Sequence, residues 1–258
     1  MRRGFHHSSI LGGGLRIDRK EHREEGQSEL ISTSRLGFWS AVLTAVLAAV
    51  MFAAGVLTPA RSGPFCTGAS CISYPYVTGL SSFIPADYIW LYPGFLLALA
   101  FVVLMACIHQ YAPDKKKVFS QIGLSFALVY SAVIAIDYFI QFVVVEPSIL
   151  NGQTTGLSLF SQYNPHGIFI GLESLGYLMM SVALLFASVV FAGGRLERTI
   201  QWLFVASFVL AVSFLVGLSL LGYDIVAFEV TILLVNWVVL IVSGVLLSVV
   251  FRRVGDQP

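Results

Sequence analysis

Three carboxylates stand where carboxylates are costly. Asp137 lies in Ala-Ile-Asp-Tyr-Phe-Ile-Gln, Glu173 in Gly-Leu-Glu-Ser-Leu-Gly-Tyr and Glu229 in Ala-Phe-Glu-Val-Thr-Ile-Leu, each within an apolar run. Ionisable groups at membrane depth mark solute sites, ion paths or proton relays. At about 100° per residue, Tyr130, Asp137 and Gln141 fall within about 40° of one another on a helix. His166, Glu173, Tyr177 and Met180 form a second stripe, and Glu229, Asn236 and Ser243 a third. Such polar lines face a bundle interior or a wet cavity rather than lipid.

No Lys or Arg lies inside these runs, so an intramembrane salt bridge cannot neutralise the acids. Three outcomes remain: protonation, a bound cation, or hydrogen bonds from Tyr, Gln, Asn and water. Protonation suits proton coupling or a general acid. Oxygen ligands would favour a hard ion such as Na⁺, Ca²⁺ or Mg²⁺, with the metal's identity left open. A purely structural alternative has each acid bond a neighbouring Tyr or backbone group. His166, in Tyr-Asn-Pro-His-Gly, could gate, sense pH or join Glu173 at a metal; capping an interface is the plainer role.

Several chemistries are disfavoured. His109 and His166 sit at opposite ends of their runs, which argues against bis-histidine haem. Retinal would need an intramembrane lysine. No Gly-x-Ser-x-Gly, His-Glu-x-x-His or phosphate-loop motif occurs, and the Gly12–Gly14 triplet lacks the Lys-Ser/Thr of such a loop. No DNA-binding module occurs, so no nucleic-acid partner is expected.

The elements that must position these residues are helices. With 57% hydrophobic and 11% charged residues and mean hydropathy +0.84, the chain reads as a membrane domain with a short tail. Six runs are long enough to span a bilayer: Leu36–Leu57, Tyr88–Tyr111, Val118–Val145, Gly167–Ala192, Thr199–Leu221 and Ile225–Phe251. The expected fold is all-α, a polytopic six-transmembrane-helix bundle over residues 35–253. Residues 1–34 read as a disordered tail and 254–258 as a C-terminal tail. The first run follows too long a polar leader for a signal peptide and reads as an uncleaved span. The third and fourth exceed the necessary length, implying tilt or protrusion. Pro93-Gly94 should kink or delay the second helix, and Gly167-x-x-x-Gly171 permits close helix approach.

Fourteen of the fifteen Lys and Arg fall on the side shared by both termini; only Arg61 lies opposite. The positive-inside bias predicts cytoplasmic termini. The outer side then holds Thr58–Asp87, Glu146–His166 and a Gly222-Tyr223-Asp224 turn. Cys66 and Cys71 share the first outer loop and could close a small disulfide ring there, or remain two free thiols. At about 1.5 Å per residue, Asp137, Glu173 and Glu229 lie roughly 13, 10 and 6 Å below the outer ends of their spans, and Asn236 roughly 16 Å. A cavity opening outward and narrowing toward Asn236 follows.

The stretch Asp137-Tyr138-Phe139-Ile140-Gln141, with Asn164-Pro165-His166-Gly167, Glu173 and Ser62-Gly63-Pro64-Phe65-Cys66, resembles a group of prokaryotic multi-pass membrane proteins with no assigned activity. The resemblance covers most of Leu36–Arg253. It implies a prokaryotic inner membrane and no particular chemistry.

The function expected is binding of a small solute or cation in the outward cavity, by a plasma-membrane transporter or sensor. Asp137, Glu173 and Glu229 would carry charge, with Gln141, Tyr177, Asn236 and His166 around them. A membrane-embedded enzyme acting on lipid is one alternative, and a structural or partner-binding membrane protein another. Reporter fusions after Lys117 and Arg198 should read cytoplasm, and one within Thr67–Pro75 the outside. A cytoplasmic report from that loop would invert the orientation.

Overall fold

In a computed structural model, the backbone is described for residues 11–68, 70–222 and 224–256, with side chains from residue 32 onward. Among these residues there is no strand. The helices are α1 (Leu11–Leu57), α2 (Leu91–Tyr111), α3 (Lys117–Ile140), α4 (Glu146–Leu150), α5 (Ile168–Ser188), α6 (Arg195–Leu221) and α7 (Ile225–Gly255). Six are long and apolar enough to cross a membrane, α3 and α4 forming one continuous crossing over Asp114–Leu150. The chain is thus an all-helical, multi-pass integral membrane protein, and a lipid bilayer is its surrounding.

Burial runs opposite to that of a soluble helix. Along α1, the large apolar residues Leu36, Trp39, Leu43, Val46 and Val50 are exposed at three- and four-residue spacing. The small residues Ala41, Thr44 and Ala48 point inward. Lipid gives no incentive to hide leucine, so small residues collect where helix backbones must approach.

Consecutive spans pack as neighbours in the order α1, α2, α3, α5, α6, α7, and α7 returns to lie along α1. The ring is therefore closed, with α5 also touching α7 across its middle. Gly244 makes the α1–α7 approach possible: a Cβ there would meet the Ala41 carbonyl oxygen at 2.8 Å and the Ala45 Cβ at 2.8 Å. Gly123 serves α3 against α5 in the same way, 2.9 Å from the Ala183 carbonyl oxygen. The Gly167-x-x-x-Gly171 pair has no such role. Nothing lies within 4 Å of a Cβ on Gly171, and one on Gly167 would meet the loop atoms of Leu159 and Asn164.

Several element ends differ from those the sequence predicts. The stretch expected as a disordered tail is helical from Leu11, where Arg, Lys, Glu and Gln are good helix formers despite lacking an apolar stripe; residues 1–10 lie outside the described residues. The third crossing outruns Val145 by passing through a π turn, Gln141–Val145, in which the Glu146 N–H donates to the Gln141 carbonyl. That wider turn precedes Pro147, whose ring and missing N–H do not fit regular α spacing. The fourth crossing, α5, stops at Ser188 rather than Ala192, turning through Val190 and Phe191 into Gly193-Gly194. α7 continues to Gly255, into the expected C-terminal tail, with Arg252 and Arg253 suiting its last turn.

Pro93 falls in the first turn of α2, where its missing N–H costs nothing, so it delays the helix without kinking it. Gly222, at φ 69°, ends α6, and the Asp224 side chain accepts from the Val226 and Ala227 N–H groups to start α7. Gly244→Leu should force α1 from α7 and cost about 1–3 kcal/mol, whereas Gly171→Ala should be neutral or slightly stabilising. Thermal unfolding in detergent compares them; equal effects would refute the assigned close approach.

Candidate functional site

Helical spacing sets one face of α5 to carry Phe169, Glu173 and Tyr177, residues four apart. On α7, Glu229, Leu233 and Trp237 are likewise four apart and meet that face. Between them lies a cavity of about 390 Å³, which both Glu173 and Glu229 line. The end of α1 and the loops before α2 and α5 complete its walls, through residues such as Gly55, Arg61, Trp90 and Tyr163. It sits at the end of the bundle that bears Cys66 and Cys71.

Glu173 is 1% exposed and Glu229 6%. Their carboxyl groups lie within hydrogen-bonding reach of one another. Two carboxyls this close in a low-dielectric interior cannot both ionise unaided. The Tyr138 hydroxyl on α3 also donates to Glu173 Oε1. Aromatic rings surround the pair: Trp90 stands edge-on to Tyr138 with centroids 5.6 Å apart, and Tyr138 stacks on Phe169 at 6.1 Å. Below, Trp237 Nε1 donates to the Tyr177 hydroxyl at 2.9 Å.

The mouth is built from loop residues. Arg61 Nε donates to Asp87 Oδ2 at 2.9 Å, and its guanidinium lies 4.0 Å above the Phe83 ring. The Tyr163 hydroxyl donates to Asp87 Oδ2 at 3.1 Å, and Gln162 Nε2 to the Asp87 carbonyl at 3.2 Å. Ser161 Oγ donates to the Tyr76 carbonyl at 2.7 Å, tying the two loops together. Cys66 and Cys71 form a disulfide, Cα atoms 5.8 Å apart, within the first of them. The hydrogen bond from Arg61 to Asp87 raises the guanidinium pKa, outweighing the opposing desolvation. Burial, then the neighbouring Tyr88 and Asp87, pushes the Tyr163 phenol well above its ordinary value.

The other residues predicted from sequence scatter. Asp137, 2% exposed, does not line the cavity. It and Tyr138 point about 100° apart on α3, and Tyr138 is the one that reaches Glu173. Gln141 instead donates to the Phe160 carbonyl at 2.8 Å, fastening the second loop to the π turn. Asn236 is no cavity floor. Its amide bonds Ser181 on α5, Ser207 on α6 and the Ile232 carbonyl, a buried knot joining three helices. His166 lines a separate recess with Gly222 and Asp224, its N–H donating to Asn164 Oδ1. Tyr177 lies one turn below Glu173.

Arg61, Asp87, Tyr138 and Trp237 are the residues that sequence spacing passes over. Arg61 does carry a signal, as the one basic residue opposite the other fourteen. Among the described residues, no three His, Cys, Asp or Glu gather to hold a metal ion. Comparisons with protein-family models, with curated proteins and with solved structures find no match to the chain.

Tyr163 yields a signed pH prediction. A phenol whose folded pKa is raised contributes its full stability below the ordinary phenol value, and that stability is lost as pH rises through it. Tyr163→Phe should therefore weaken the alkaline fall in melting temperature above about pH 10. An unchanged alkaline limb would show that the phenol does not hold the mouth.

Proposed function

We propose that this protein binds a small solute in the Glu173–Glu229 cavity and acts as a transporter or sensor in a plasma membrane, the cavity opening outward. One observation carries this reading: two buried carboxyls, in contact with each other, line a space large enough for a small molecule. A cavity of about 390 Å³ falls in the range of small-molecule sites. Two acids buried only for packing would be an expensive way to fill a bundle. The distribution of Lys and Arg supports the outward orientation, and the loop disulfide is consistent with an oxidising side.

The alternative is an enzyme acting on lipid, with one acid as base and another as proton donor; Asp137 stands outside the cavity, which leaves Glu173 and Glu229 for those roles.

Tryptophan fluorescence tests the solute site directly. The four tryptophans divide evenly: Trp90 and Trp237 line the cavity, while Trp39 and Trp202 are exposed on the lipid-facing surface. In a Trp39→Phe, Trp202→Phe background, water-soluble acrylamide should quench the remaining emission, and Leu234→Phe, which narrows the cavity, should reduce that quenching. Emission indifferent to acrylamide would mean that the cavity does not admit solutes from water, and the reading would fall.

A further inference from the structure

Resting on the solute-binding reading of this cavity, we infer that its ligand is an organic monocation: a quaternary or protonated amine carried on an apolar or aromatic body. Charge, wall chemistry and volume each narrow the choice.

Charge comes first. Two neighbouring carboxyls buried in a low-dielectric interior cannot both ionise unaided, so the pair carries at most one negative charge. The Tyr138 hydroxyl donates to Glu173, so that charge is best accommodated there, with Glu229 beside it on the cavity lining. Among the described residues lining the cavity, Arg61 is the basic one, and it is already committed to Asp87 at 2.9 Å. The floor's charge is therefore not cancelled from within the protein. The remaining ionisable groups near the pair are Tyr130, Asp137 and Tyr138 on α3, Tyr177 on α5, and Asp87 and Tyr163 at the mouth. None of these is a cation. An anionic solute would meet the acids unscreened, while one positive charge balances the pair.

Wall chemistry then separates metal ions from organic ones. A dehydrated Na⁺, Ca²⁺ or Mg²⁺ ion needs about six oxygen ligands. The walls beside the acids are instead Trp90, Phe169, Trp237, Val230 and Leu233. These surfaces suit the carbon shell of an alkylammonium group, and three of them are aromatic faces or edges able to interact with a cation. A sugar or other polyol would lose its hydrogen bonds to water against the same walls.

Volume sets the upper limit. At about 390 Å³ the cavity has room for one aromatic ring carrying a compact ammonium group.

Benzyltrimethylammonium and neopentylbenzene share one shape and differ in charge, so the pair isolates the inference. Equilibrium dialysis of the full chain in nonionic detergent, with empty micelles as the baseline, should show the ammonium compound binding at least about tenfold more tightly. Glu173→Gln combined with Glu229→Gln should erase that preference. Glu229→Gln alone should keep it, because the amide still donates to Glu173. Retained binding of neopentylbenzene by the double variant shows that its site has kept its shape. Equal affinities in the native chain, or a preference that survives the double variant, overturn the monocation and leave a solute site for uncharged ligands. Binding of neither compound, while acrylamide still reaches Trp90 and Trp237, also overturns the monocation. Loss of acrylamide access instead removes the solute reading itself.

Discussion

Two carboxyl groups pressed together out of water are the constraint around which this bundle is arranged. Separately, each would have to find a proton or a counter-charge in a medium that solvates neither. Together they can hold at most one negative charge, and Tyr138 supplies a donor to it from a third helix. The arrangement holds α3, α5 and α7 at fixed rotation about their axes, because turning any one by a single residue would move its polar group about 100° away. The aromatic rings of Trp90, Tyr138 and Phe169 close around the pair and restrict where water can stand.

The rest of the bundle secures that geometry from below and above. Below, the Asn236 knot joins α5, α6 and α7 through Ser181 and Ser207, with both ends of the amide satisfied. In a membrane, where apolar burial does not favour helix over lipid, such bonds and small-residue contacts set which helices are neighbours. Gly244 against Ala41 and Ala45 then draws α7 back onto α1 and closes the ring. Above, two loops tied at Ser161 and Tyr76 form the mouth, and the Arg61–Asp87 pair fixes its width.

The combination of an acid pair, aromatic walls and a self-neutralised mouth has a chemical consequence. Arg61 is held by Asp87 rather than released to the acids, so the entrance is neutral and the negative charge beneath is not cancelled. Under the proposed reading, such a cavity would discriminate by charge at its floor and by shape along its walls. The π turn at Gln141–Val145 adds a second tie, since Gln141 binds the Phe160 carbonyl in the loop that also supplies Gln162 and Tyr163. Changes at the mouth are thereby connected to the helix that carries Tyr138.

Sequence by itself determined the membrane class, the six crossings and the polar faces of α3, α5 and α7. Each is a one-dimensional signal: about 20 apolar residues span a bilayer, and a period near 3.6 assigns a face. It also singled out Glu173 and Glu229, because acids at that depth are rare for energetic reasons, and both line one cavity. Their partnership was decided only in three dimensions. Ring order places α7 beside α5, and helix rotation presents Tyr138 to Glu173 while Asp137 stays outside the cavity. Asn236 shares its helix face with Glu229, yet serines from two other helices claim it. Arg61 and Asp87 are 26 residues apart in an irregular loop with no period to read. Rotation, neighbour choice and loop closure arise from packing between segments, and no single segment encodes them.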